Sequence, residues 1–288
     1  MAKQIDLLIT DLDGTLYDWI GFYVPSFLAL LRQLSQLSGV PEERLKQSFK
    51  RVNEFHRTSE YAFAIQELDV LPEARQGWSV EAILRKYDPA IHAFRSERRK
   101  TLRLFDGVRE SLLRLKGAGI KLVAHSDSMM SYVSRRLRQL DIDEVFDAIS
   151  APKDHGLPTN TPASVRRAAK SQILSRVREV PFSPALRKPD PETLSPVLRA
   201  FGFPNGRTAY LGDSLSRDML LASRCQLRGV WARYGSRPAD LYEELLQITY
   251  WTPDEVSDEG RLLRELSVAS PPTEIGSFAE ILKICGVE

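Results

Sequence analysis

An almost unbroken apolar run, residues 5–10, stops abruptly at two carboxylates and a glycine: Asp11-Leu12-Asp13-Gly14. The run is too short for a core helix, and its apolar residues are consecutive where a strand with one wet face would alternate. It therefore predicts a strand buried on both faces, the environment of a parallel sheet covered by helices. The rest of the chain supplies the partners. Residues 120–125, 145–150, 207–211 and 228–232 read as further strands, the first of them launched by the turn signal Gly117-Ala118-Gly119. Helical patterns at 108–116, 132–140 and 191–201 separate them. Strands alternating with helices of this length imply an α/β fold built on a Rossmann-like parallel sheet core.

One segment breaks the alternation. Residues 19–100 carry helical patterns at 24–37, 42–55, 80–86 and 91–104 and no strand. Pro41 suits a helix start, and Ser79 suits an N-cap. The expected organisation is a core of residues 1–18 and 101–288 with a helical domain, 19–100, inserted after the first strand. A second irregular region, 151–187, is rich in proline and arginine around a basic stretch expected to be helical at 163–180. The tail, 238–288, reads as mixed and largely helical, with Ser277-Phe278-Ala279-Glu280 opening a last short helix.

Charge and cysteine content narrow the class of function. The 40 basic residues are nearly matched by 38 acidic ones, for a net charge of +2, which argues against a dedicated nucleic-acid binder. The two cysteines, Cys225 and Cys285, are too few for a disulfide framework and are not spaced as a zinc site. They read as buried thiols of a reducing compartment. No apolar run approaches the roughly 18 residues of a membrane span, and the N-terminus lacks signal-peptide architecture. The expectation is a cytoplasmic protein.

In open α/β sheets ligands bind beyond the carboxyl ends of the strands, which puts Asp11 and Asp13 at the mouth of a site. Alternation along the chain lets both face the same side. Two carboxylates so close resist simultaneous ionisation unless a cation lies between them, an arrangement suited to one nucleophile and one general acid/base.

Three more strings recur downstream at strand ends or helix starts. Residues 120–126 form an apolar strand ending in Ser126, with Asp127 next. Arg187-Lys188-Pro189-Asp190-Pro191-Glu192 precedes a helix. Tyr210-Leu211-Gly212-Asp213 ends another strand, with Asp218 five residues on. Together with Asp11-Leu12-Asp13-Gly14-Thr15-Leu16, these strings resemble, in order, the four motifs of the haloacid dehalogenase (HAD) superfamily, over residues 6–235. The resemblance implies a Mg2+-dependent phosphatase in which Asp11 attacks phosphorus and Asp13 serves the leaving group. Lys188 would offset negative charge. Ser126 and the backbone N–H groups of Leu12 and Asp127 would bind the phosphoryl oxygens. Asp11, Asp213 and the backbone carbonyl of Asp13 would hold the metal, and Asp218 would orient Lys188 or a metal-bound water. His125 reads as a packed residue at the strand end.

The same resemblance makes the helical insert a C1-type cap, with Phe22, Tyr23, Arg51, His56, Arg57 and Tyr61 as candidates to meet a small phosphorylated metabolite. Nothing marks Lys46, Lys50 or Lys86 as a Schiff-base lysine of the phosphonatase type. Asp13 and the acidic fourth motif favour phosphoryl transfer over dehalogenation. Phosphomutases share every catalytic residue named, and a non-catalytic HAD-fold binding module is a further alternative, although no acidic motif residue is missing. The region 151–187 is longer than the resemblance leads one to expect. It reads as a solvated excursion or, through its basic residues, as a site for an acidic partner or a second lid.

Overall fold

The computed structural model describes residues 4–154, 177–235, 239–250, 261–262, 265–266 and 271–287. Its centre is a parallel seven-stranded sheet in the order β4-β3-β2-β1-β5-β6-β7. The strands are β1 Leu7–Thr10, β2 Lys121–His125, β3 Ala148–Ser150, β4 Arg178–Glu179, β5 Thr208–Gly212, β6 Arg228–Ala232 and β7 Thr273–Ile275. This is the α/β, Rossmann-like arrangement expected.

Strand β1 is buried along its whole length, and its alternation divides the core into two layers. Leu7 and Ile9 join Val123, Ala148 and Tyr210 on one face. Leu8 joins Leu122, Ala124, Leu211 and Val230 on the other. Successive side chains of a strand point to opposite faces, so a continuous apolar run feeds both layers.

Register then decides where the polar ends fall. Thr10 pairs with Ala124 of β2 and with Leu211 of β5, and the Asp11 N–H donates to the Leu211 carbonyl at 2.8 Å. Asp11, Ser126 and Asp213 therefore emerge together at the carboxyl edge. The chain winds away from β1 toward β2 on one side and reaches β5 on the other, so this edge is also a topological switch point.

The segment after β1 is helical, as expected: α1 Trp19–Ser38, α2 Glu42–His56, α3 Ala64–Glu67, α4 Pro72–Arg75 and α5 Val80–Thr101. Asp18 caps α1 by accepting from the Gly21 N–H at 2.8 Å, and Ser79 caps α5. The two helices expected at 80–86 and 91–104 are one. Pro89 lies inside α5 and does not end it, because Ile83, Tyr87 and Ala90 form a buried stripe at helical spacing. Packing of that stripe outweighs the hydrogen bond that proline removes.

Helices α6 Val108–Gly117 and α7 Met130–Gln139 flank β2. Two elements correct the sequence reading. Residues 177–180, expected to end a helix, instead carry the edge strand β4; residues 163–176 lie outside the described residues. The tail contributes a strand, β7, beside β6. Its Ala239–Ile248 helix packs on the helical insert, where Asn53 Nδ2 donates to the Ile248 carbonyl at 2.8 Å and Lys50 Nζ to the Leu246 carbonyl at 3.0 Å. Among the described residues no helix is long and apolar enough to cross a membrane.

Candidate active site

Asp11 leaves β1 at the carboxyl edge and is nearly buried. Its Oδ2 accepts from Thr15 Oγ1 at 3.0 Å, and its Oδ1 accepts from Lys188 Nζ. Lys188, 7% exposed, also donates to Asp218 Oδ1 at 2.8 Å. Asp11, Asp213 and Asp218 each offer a carboxylate oxygen within 4.8 Å of the others.

Backbone geometry makes this convergence feasible. Gly14 has φ +89, and a Cβ there would lie 2.5 Å from Asp213 Oδ2. Only glycine combines that left-handed turn with so close an approach. After β5 the chain forms a wide five-residue turn, Leu215–Met219, in which the Met219 N–H reaches the Ser214 carbonyl at 3.1 Å. Such π-type turns often occur at functional sites. Here the turn aims Asp218 back into the cluster, where its Oδ2 accepts from the Ser214 N–H at 3.0 Å.

Electrostatics follow from burial and crowding. Burial pushes the Asp11 carboxyl well above the usual carboxylate range, Lys188 pulls it down, and Asp218, Asp213 and Asp13 push it further up. Burial opposes the charge on Lys188, but Asp11 and Asp218 outweigh it and hold the ammonium well above the ordinary lysine value. One buried cation thus faces several carboxylates. A hard divalent cation with oxygen ligands would relieve that excess, and the donor set consists entirely of such oxygens. Asp218 Oδ1 already accepts from both Lys188 and, at 3.3 Å, the Tyr210 hydroxyl. Asp11, Asp213 and Asp218 are the carboxylates placed to hold a metal, with Asp218 also engaged by Lys188.

Asp13 sits beside the cluster and not within it. Its Oδ2 accepts from Ser126 Oγ at 3.2 Å and Ser128 Oγ at 2.9 Å, and its Oδ1 accepts from Arg136 Nη1 at 2.9 Å. A metal-binding role for Asp13 is thus left to its backbone carbonyl. Ser126 is where the sequence placed it, but its hydroxyl is turned to Asp13. Asp127 Oδ1 accepts from the Lys188 N–H at 3.2 Å, joining two of the motifs. The side chain of Leu12 is buried, which leaves only its backbone to the site. His125 is packed as expected, with Nδ1 2.8 Å from the Tyr210 hydroxyl.

A cleft opens over these groups. Of the six insert residues expected to meet a ligand, only Arg57 lines it. Phe22 and Tyr23 are core residues. Arg51 pairs with Asp69 at 2.9 Å, while His56 and Tyr61 stack on each other and both bond Glu67. The cleft is instead walled by Trp19, Ser59, Glu60, Arg187, Arg217 and Tyr250. Arg136 was also missed: it stands in the run Arg135-Arg136-Leu137-Arg138, where no local signal separates it from its neighbours.

Residues 5–225 match the family model described as haloacid dehalogenase-like hydrolase. The fold is similar to a 2-haloacid dehalogenase from Pseudomonas syringae pv. tomato DC3000 (17% identity, 98% of each chain covered, TM-score 0.59). It is also similar to a HAD phosphatase from Thermococcus onnurineus (17% identity, 99% of each chain, TM-score 0.55). A third similar structure is a putative HAD hydrolase from Bacillus subtilis bound to magnesium (16% identity, 99% of this chain and 100% of that one, TM-score 0.52). No curated protein matches the sequence.

Proposed function

We propose that this chain, which belongs to the haloacid dehalogenase-like hydrolase family, is a magnesium-dependent phosphatase of small phosphate monoesters that works through an aspartyl-phosphate on Asp11. The observation that carries the reading is the buried contact of Asp11 with Lys188 beside Asp213 and Asp218. A dehalogenase of the family needs neither the metal nor Asp13, so the full acidic set supports phosphoryl transfer.

Asp11 attacks phosphorus. As the new P–O bond forms, the bond to the leaving oxygen breaks, and that oxygen takes a proton from the Asp13 carboxyl. A water then attacks the aspartyl-phosphate and gives its proton to the Asp13 carboxylate, and the P–O bond to Asp11 breaks to release inorganic phosphate. Lys188 stabilises charge on the phosphoryl oxygens throughout, an effect enlarged by exclusion of water. Magnesium held by Asp11, Asp213 and the Asp13 carbonyl would supply Lewis-acid stabilisation of the same oxygens. The helical insert acts as a cap whose docking shields the cleft.

Hydrolysis of 4-nitrophenyl phosphate, with and without magnesium and beside an Asp11→Asn variant, tests the reading. Magnesium-dependent turnover that disappears in the variant is expected. A folded protein with no turnover on this or a panel of phosphorylated metabolites would overturn it.

A further inference from the structure

Arg136 is the least accessible arginine of α7 and lies 3% exposed at the boundary between the sheet domain and the helical insert. Its two terminal nitrogens serve different carboxylates. Nη1 donates to Asp13 Oδ1 at 2.9 Å and to Ser128 Oγ at 3.2 Å, whereas Nη2 donates to Glu60 Oε2. Asp13 belongs to the sheet domain and Glu60 to the insert. The guanidinium also lies over the Phe22 ring of α1, 5.2 Å from its centroid. Glu60 is presented by a short loop in which its N–H donates to Thr58 Oγ1 at 3.3 Å and the Tyr23 hydroxyl donates to the Ser59 carbonyl. The same loop lines the cleft.

We propose that Arg136 is a positioning residue for the proton-delivering carboxyl of Asp13, and that Glu60 makes this positioning depend on the docked insert. The proposal rests on the reading that Asp13 serves the leaving oxygen. A planar fork anchored at both ends has one orientation; freed at one end, it turns about the other. With Glu60 in place, Nη1 is aimed at Asp13 Oδ1, and the serines hold Oδ2, so the carboxyl plane is defined from both sides. When the insert withdraws, Glu60 goes with it and the fork loses its second anchor. Proton delivery needs hydrogen-bond reach to the leaving oxygen, and displacement of about 1 Å costs ~10²-fold in rate. The link therefore ties an aligned Asp13 to a covered cleft.

The test compares phenyl phosphate with 4-nitrophenyl phosphate in the magnesium-loaded protein. The two are nearly alike in shape, but phenolate is the far poorer leaving group and depends more on a delivered proton. Arg136→Lys, which keeps the charge and loses the fork, is expected to lower kcat on phenyl phosphate by ~10²-fold and on 4-nitrophenyl phosphate by less than ~3-fold, with little change in KM. Glu60→Gln is expected to show the same selectivity at about tenfold. The double variant should lose no more than Arg136→Lys alone, because both act on one geometry. Thermal melting checks the fold, and Glu60→Gln serves if Arg136→Lys does not fold. Equal losses on both substrates, or no loss, would overturn the proposal while leaving the phosphatase reading intact. No turnover of either substrate by the unaltered protein would overturn both.

Discussion

Lys188 Nζ and Asp218 Oδ1 lie 2.8 Å apart, and both side chains are almost wholly buried. The pair joins the third and fourth motifs beneath Asp11. Taking both charges out of water is costly, and their attraction offsets that only while each remains paired. Asp218→Asn leaves the ammonium with Asp11 as its one carboxylate hydrogen-bond partner among the described residues. The expected result is a loss on the order of 3 kcal/mol in urea denaturation and ~10–100-fold lower activity. A variant as stable and active as the parent would show that Asp218 does not orient Lys188.

Gly14→Ala places a methyl group 2.5 Å from Asp213 Oδ2 at φ +89. Strain of about 1–3 kcal/mol is expected from the backbone alone, and Asp213 must move. Melting temperature should fall, and magnesium affinity measured by titration calorimetry should weaken by at least tenfold, on the scale of metal-site perturbations.

His125 is buried, and burial holds its imidazole well below the ordinary histidine value, with Lys188 adding to the effect. The folded protein therefore binds this proton less readily than the unfolded chain. Stability contributed by the neutral ring is complete above about pH 6.5 and declines as pH falls below it. The slope is at most about 1.4 kcal/mol per pH unit. Urea midpoints between pH 7.5 and 5 should show this decline, and His125→Gln should flatten it. An unchanged slope in the variant would assign the acid sensitivity elsewhere.

Asn53 and Ile248 join the insert to the C-terminal helix through a buried 2.8 Å hydrogen bond. Asn53→Ala would leave the Ile248 carbonyl unpaired in a buried setting, a cost of about 1–3 kcal/mol. Chemical denaturation measures this directly. Faster proteolytic cleavage within residues 239–250 is expected alongside it, because the helix would dock less firmly.

Much of the fold was legible because each interior strand carries its own apolar run. Residues 5–10, 120–125, 207–211 and 228–232 all became interior strands of the sheet. The two edge strands were not. Arg178–Glu179 is only two residues long and exposed, and Thr273–Ile275 buries only Ile275, so neither shows a pattern that distinguishes it from a loop. The helical patterns at 80–86 and 91–104 proved to be one helix across Pro89, because local propensity is weaker than the packing of a buried stripe.

The sequence by itself determined where Asp11, Asp13, Ser126, Asp127, Lys188, Asp213 and Asp218 would meet. Asp11, Ser126 and Asp213 follow strand ends that parallel register carries to one edge, and the resemblance to the four motifs added Lys188 and Asp218 to them. Tertiary structure alone decided which groups surround Asp13 and wall the cleft. Arg136 is 123 residues from Asp13 and 76 from Glu60 along the chain. Their meeting depends on how α7 and the insert dock against the sheet, and no local pattern encodes the relative placement of two such distant surfaces. Among neighbouring arginines of identical chemistry, burial between two carboxylates is what sets Arg136 apart.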